Sequence, residues 1–376
     1  MGSLEEPPTT RLFTPLHLGQ ITLSHRVIMA PLTRYRCSES HVPLPMMVEY
    51  YSQRASAPGT LIIAEATQIS PRAGGMPNGP ALWNEEQIEG WKKVTEAVHA
   101  KGCYIFCQLI ALGRAARPEM LKGFDVCAPS AVPLDRGDGN GSEVVVPREL
   151  TEKEIWGVIS DFGTAAKNAI RAGFDGVEVH GANGYLVDQF LQDGTNHRSD
   201  GWGGSVEARA RVAVEVAKRL FGAVGADRIG FRLSPWNTWQ GMKMEDPVPQ
   251  FEYTVRKLRE LDLAYLHLVE SRVINNVDTV KVEGLEPFLE AWGPEAPVIV
   301  AGGYNIENTS EAVDVEYSKY NVAVAFGRHF LANPDLPFRL QQKLSLNKYD
   351  RATFYTPRQK GGYIDYPFST EFEPNS

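Results

Sequence analysis

The sequence predicts an eight-stranded (β/α)8 barrel. Two patterns and one absence carry that expectation. Eight short, β-branched apolar runs recur along the 376 residues, and longer amphipathic stretches separate them. The glycine fingerprint of an open, doubly wound sheet is missing after the first run, where the chain reads Ala30-Pro31-Leu32-Thr33-Arg34.

Each element has its own justification. The expected strands are Val27–Ala30, Thr60–Glu65, Cys103–Leu109, Gly176–His180, Ile229–Leu233, Ala264–Val269, Pro297–Ala301 and Val322–Gly327. Runs such as LIIA and VIVA are apolar at successive positions, which suits strands covered on both faces. The helix expected over Thr151–Ala172 opens on TEKE, a capping box, and closes on Gly173. The helix over Asn84–Lys101 starts at an Asn cap and continues as a stripe of Ile88, Trp91, Val94 and Val98. It stops at Gly102. Residues 12–26 read as a hairpin placed to plug the bottom of the barrel. Residues 113–150 form a long insertion after the third strand, rich in Gly, Pro and Asp. The barrel is expected over residues 27–345 with a C-terminal tail over 346–376, all in one domain spanning 1–376.

Composition narrows the function classes. Lys and Arg total 38 against 46 Asp and Glu, a net charge of −8, which argues against a nucleic-acid partner. Four cysteines are too few for a disulfide scaffold. Cys103 and Cys107 share one face of a strand and read as buried, inert thiols. The histidines show no metal-binding spacing. No segment approaches the roughly 18 apolar residues that cross a bilayer. Met1–Arg11 is acidic and proline-rich without the apolar core of a secretory signal, so a cytoplasmic location is expected.

Barrel chemistry sits where strands end. The fourth strand ends in His180-Gly181-Ala182-Asn183-Gly184-Tyr185. His180 and Asn183 are two donors able to converge on one carbonyl or phenolate oxygen, and Tyr185 carries a transferable proton. The plain alternative is a satisfied core histidine beside a packed tyrosine. The fifth strand carries Arg232, costly to bury without an anion. Its plain alternative is an ion pair with Glu65 or Glu178. Gly302 and Gly303 after the seventh strand, with Gly327 and Arg328 after the eighth, form a phosphate-binding pattern. Thr33 adds a hydroxyl and Gln108 an amide.

These blocks resemble the Old Yellow Enzyme family of FMN-dependent ene-reductases. The resemblance runs from about Leu12 to Pro367 through APLTR (30–34), YYSQRASAPGT (50–60), DGVEVHGANGYLVDQF (175–190), GGSVEARAR (203–211), FGRHFLANPDL (326–336), NKYDRATFY (347–355) and GYIDYP (362–367). It implies a TIM barrel with tightly bound, non-covalent FMN. Pro31, Leu32, Thr33, Ala66, Gln108 and Arg232 would hold the flavin ring, and Gly302, Gly303, Gly327 and Arg328 its phosphate. NADPH would reduce the flavin and then leave. An α,β-unsaturated carbonyl substrate would take the hydride at its β-carbon. His180 and Asn183 would grip its oxygen and Tyr185 would protonate its α-carbon. Phe354 and Tyr355 would line the mouth.

Several pocket positions depart from the yeast members. Ile110 stands in place of a tryptophan, Arg114 of another aromatic, Met76 of a tyrosine, Val277 of a phenylalanine and Gly303 of an asparagine. The GRAA stretch at Gly113–Ala116 looks most like filamentous fungal members, some of which act in secondary metabolism, including the ergot-alkaloid aldehyde reductases. Members with phenylalanine at the proton-donor position act as isomerases, and Tyr185 favours net reduction over that alternative. A non-redox, phosphate-binding barrel such as an aldolase would want a Schiff-base lysine or a metal at a strand end, and the sequence offers neither. Monomer and homodimer both suit the family.

Overall fold

A computed structural model describes residues 10–135, 144–274 and 277–373. Its centre is a closed barrel of eight parallel strands. They are β1 (Val27–Met29), β2 (Leu61–Gln68), β3 (Tyr104–Ile110), β4 (Gly176–Gly181), β5 (Ile229–Leu233), β6 (Tyr265–Val269), β7 (Val298–Ala301) and β8 (Val322–Phe326). Neighbours in sequence are neighbours in the barrel, and β8 closes on β1 with Val324 opposite Val27. All eight expected strands are present. The main difference is β2, which runs on through Gln68. A register shift against β3 between Ala64 and Thr67 accommodates the extra residues. Bulges of this kind re-aim side chains next to functional sites.

Successive strand residues point alternately outward and inward. Ile62, Ile105, Val298 and Val322 face the helical layer, where they join Trp91, Val94, Val98 and Phe162 in the main core. Ile28, Leu61, Ile63, Phe106 and Ile299 face the lumen. The N-terminal hairpin, Leu16–Leu18 against Ile21–Leu23, adds its four inward side chains to this lumenal cluster and plugs the bottom of the barrel. Its turn needs Gly19. The residue has φ +53°, and a Cβ there would lie 1.9 Å from the Asp227 carbonyl oxygen.

Both capped helices form as the sequence indicates. Helix Glu152–Arg171 starts at the complete Thr151/Glu154 capping box. Helix Glu85–His99 starts at Asn84, whose side chain accepts from the Gln87 N–H. The apolar stripe Ile88, Trp91, Val94 and Val98 is buried. Burial pushes the Cys103 thiol up to about 11 and the Cys107 thiol up to about 12, so both stay protonated. Among the described residues, no helix is long and apolar enough to cross a membrane.

Candidate active site

At the C-terminal end of the strands lies a cavity of about 620 Å³, within the usual range for small-molecule sites. All fifteen residues that the resemblance assigns to flavin, substrate or proton transfer line it. Pro31, Leu32 and Thr33 follow β1, Ala66 lies in the β2 bulge and Gln108 is on β3. His180 ends β4, with Asn183 and Tyr185 in the turn beyond, and Arg232 is on β5. Gly302 and Gly303 follow β7, and Gly327 and Arg328 follow β8. Phe354 and Tyr355 arrive from the C-terminal tail.

The tail is held there by two buried arginines. Arg34 donates to the Phe354 carbonyl at 3.0 Å and the Gly362 carbonyl at 2.7 Å. Arg36 donates to the carbonyls of Phe354, Thr353 and Gln359. Backbone oxygens thus satisfy charges that would otherwise be costly to bury.

Below the cavity, Glu178 is fully buried and accepts three hydrogen bonds. Its Oε1 accepts from Gln108 Nε2 at 2.7 Å. Its Oε2 accepts from Tyr265 Oη at 3.0 Å and His267 Nδ1 at 2.8 Å. Burial opposes its charge, but His267, Arg232 and Gln108 together outweigh that and hold the carboxyl below its usual range. The hydrogen bonds of Glu178 thus go to Gln108, Tyr265 and His267, and its charge acts on Arg232 only through space. Glu65 is engaged elsewhere, with the Arg34 N–H and Tyr51. Neither glutamate pairs with Arg232, whose Nε is buried without a hydrogen-bond partner. Among the described residues this guanidinium nitrogen has no acceptor, so it can take one from a bound ligand.

The two glycine pairs supply the other half of that fit. Gly302 and Gly303 have φ of +117° and +69°. A Cβ on Gly303 would lie 2.7 Å from the Arg272 Cβ, so only glycine keeps this turn against the β6 loop. At Gly327 a Cβ would press on Leu32 at 3.2 Å. Arg328 beside it donates to Tyr349 at 3.1 Å. Bare backbone with an arginine at one end and the unpaired Arg232 at the other fit the FMN that the resemblance implies, with a phosphate and an electron-accepting ring.

His180 is buried, and burial followed by the nearby Arg232 and His267 pushes its pKa well below the usual value. The ring is neutral. The Ala182 N–H donates to its Nδ1 at 3.4 Å, the arrangement that goes with a proton on Nε2. Asn183 has φ +57° and accepts at Oδ1 from Asn237 Nδ2 at 3.1 Å, which leaves its own Nδ2 as the free donor. Tyr185 packs edge-on against His180, with ring centroids 4.8 Å apart. Burial, then Tyr35 and Tyr355, push its pKa above the ordinary tyrosine value, against a smaller opposing effect of Gln240. The site thus offers two neutral N–H donors and one phenol that keeps its proton.

Not every pocket expectation holds. Ile110 does not line the cavity. It is buried beneath Ala66, Met76, Leu112 and Leu121, so shortening it reshapes the layer behind the wall. Arg114 does not line it either. Its guanidinium donates to the carbonyls of Val132, Pro133 and Gln240, tying the insertion to the β5 loop. Met76 and Gly303 do line it. The Val277 side chain and residues 136–143 of the insertion lie outside the described residues.

Sequence reasoning missed Tyr35, Arg117, Asn237 and Trp239, which also line the cavity. The SPWNTWQG stretch after β5 carried a signal. Polar and aromatic residues clustered just past a barrel strand are the same pattern as the one after β4.

Comparison with known proteins agrees with this geometry. The model of the NADH:flavin oxidoreductase / NADH oxidase family matches residues 11–347. Chanoclavine-I aldehyde reductase of Penicillium roqueforti is 54% identical over 97% of this chain and 98% of its own. An NADP-dependent oxidoreductase of Aspergillus flavus is 52% identical over 96% and 97%. A probable inactive reductase of Epichloe festucae is 51% identical over 97% of each. The Old Yellow Enzyme structure from a Pichia species superimposes with a TM-score of 0.88 at 38% identity, covering 97% of this chain and 95% of that one. Fold, strand-end residues and relatives agree: the chain belongs to the NADH:flavin oxidoreductase family, among its Old Yellow Enzyme members.

Proposed function

We propose that this protein is an FMN-dependent ene-reductase that draws hydride from NADPH and reduces the carbon–carbon double bond of an α,β-unsaturated aldehyde or ketone. The observation that carries the reading is one convergence. The Nε2–H of His180, the Nδ2–H of Asn183 and the Tyr185 phenol share a cavity with an unpaired Arg232 guanidinium.

Pro31, Leu32, Thr33, Ala66, Gln108 and Arg232 would hold the flavin ring, and Gly302, Gly303, Gly327 and Arg328 the phosphate. When bound, FMN supplies the two-electron chemistry that links the nicotinamide to the substrate. The chain's own residues do the rest. His180 and Asn183 donate to the substrate's carbonyl oxygen and stabilise the negative charge that develops there. Tyr185 delivers a proton to the α-carbon, and its raised pKa keeps that proton available across the physiological range. Phe354 and Tyr355 cover the mouth. The Tyr185 phenol in the cavity favours net reduction over isomerisation. The aldehyde reductase and NADP-dependent names among the relatives support an enal substrate, NADPH and a place in fungal secondary metabolism.

A visible absorption spectrum with and without 4-chlorophenol tests the reading, together with NADPH consumption in the presence of cinnamaldehyde. The expected result is a yellow protein, a broad long-wavelength band with the phenol, and cinnamaldehyde-dependent turnover. A colourless protein that FMN cannot reconstitute overturns it.

A further inference from the structure

We propose that Asn237 is a positioning residue that fixes which end of the Asn183 side chain faces the cavity. The inference deepens the carbonyl-binding reading above and rests on it for its functional consequence.

A carboxamide has nearly the same shape whichever way it is turned. A carbonyl oxygen needs the NH2 end of Asn183, yet nothing in Asn183 itself chooses that end. The choice is made next door. The Trp239 backbone N–H donates to Asn237 Oδ1 at 3.0 Å. A backbone N–H can only donate, so it fixes Asn237 with its oxygen toward Trp239. Asn237 Nδ2 is thereby aimed at Asn183, where it donates to Oδ1 at 3.1 Å. The free Nδ2 of Asn183 is what remains for the cavity. Polarity passes from an invariable main-chain donor, through one amide, to a second amide at the site.

Asn183 has little other freedom. Its N–H donates to Ser234 Oγ at 2.8 Å, and its carbonyl accepts from Gln240 Nε2 at 2.7 Å. With φ at +57° and both main-chain groups tied, rotation of the side-chain amide is the remaining motion. The three groups that hold Asn183 all come from residues 234–240 after β5. The donor at the end of β4 is therefore set by the neighbouring loop.

The test compares Asn237→Asp with Asn237→Ala, each alone and in an Asn183→Ala background. Aspartate has the shape of asparagine but cannot donate, so it should invert Asn183 and present Oδ1 to the cavity. In flavin-loaded protein, the Kd for 4-chlorophenol should rise at least tenfold in Asn237→Asp and only a few-fold in Asn237→Ala. A purely space-filling role predicts the reverse order and overturns the proposal. In the Asn183→Ala background, either substitution should change the Kd less than twofold. An undiminished loss there means that the new charge acts directly, which also overturns it.

A second readout needs no flavin. The Asn183 side-chain NH2 signals in spectra of 15N-asparagine-labelled protein are identified by their loss in Asn183→Ala. They should move downfield in Asn237→Asp as the amide turns toward the carboxylate, and unchanged signals overturn the relay. If they move as expected while the unsubstituted protein binds no phenol, the relay stands and the carbonyl-binding reading fails.

Discussion

His180 and Arg232 stand in register on adjacent parallel strands, at the C-terminal ends of β4 and β5. The pairing puts a permanent cation beside an imidazole that burial already disfavours in its charged form. His180 is therefore a fixed neutral donor. The Kd of a phenol that titrates well above the range should show no step between pH 5.5 and 8. A step near pH 6.5, lost in His180→Asn, would show that the imidazole titrates normally.

Tyr185→Phe removes the phenol proposed as proton donor and leaves both N–H groups in place. Cinnamaldehyde reduction should fall by roughly 10²- to 10⁴-fold, the usual scale for a general acid. Flavin reduction by NADPH and the phenol band should persist. Single-turnover traces of the two half-reactions check this, and an equal loss in both would assign Tyr185 to binding.

Glu178→Ala leaves three buried donors, on Gln108, Tyr265 and His267, without their acceptor. It also removes the negative charge near Arg232. The expected cost is about 3–5 kcal/mol of stability, the scale for breaking a buried charged network. Urea denaturation at pH 7.5 measures it. A change below about 1 kcal/mol would mean that the network is dispensable.

His25 predicts an acid-side loss of stability. It is buried between Thr60 Oγ1, at 3.0 Å, and the Val27 N–H. Burial, outweighing the Val27 contact, pushes its pKa from 6.5 down to about 4. Between those values the unfolded chain binds a proton that the folded chain does not. Stability therefore falls as pH falls through this window, by roughly 3 kcal/mol in all, and the loss is complete below pH 4. Denaturation midpoints from pH 7 to pH 4 should show a shallower slope in His25→Gln than in the unsubstituted protein.

The elements most legible in the sequence were those decided by neighbours along the chain. The Thr151/Glu154 capping box and the Asn84 cap involve residues three apart, so their geometry follows from local spacing. Gly102 and Gly173 take positive φ just past helix ends, as their positions suggested. The β2 extension was not legible. Its residues Thr67 and Gln68 are polar, yet both are buried. Gln68 is held by His41 and the backbone of residues 75–80, a segment the sequence does not mark as its neighbour.

The sequence alone determined the barrel, because eight apolar runs with capped helices between them can bury both faces in few other ways. It also brought the candidate site residues to one rim. In a parallel barrel every strand ends at the same rim, so residues at strand ends meet whatever their separation along the chain. The tertiary structure decided which polar groups were already satisfied. Arg34 is spent on Gly362, 328 residues away, and Arg114 on the β5 loop, whereas Arg232 Nε has no partner among the described residues and Glu178 accepts from three other groups. Hydrogen-bond partners for buried charges come from segments remote in sequence. Whether an arginine is structural or free to meet a ligand is therefore fixed only when those segments pack.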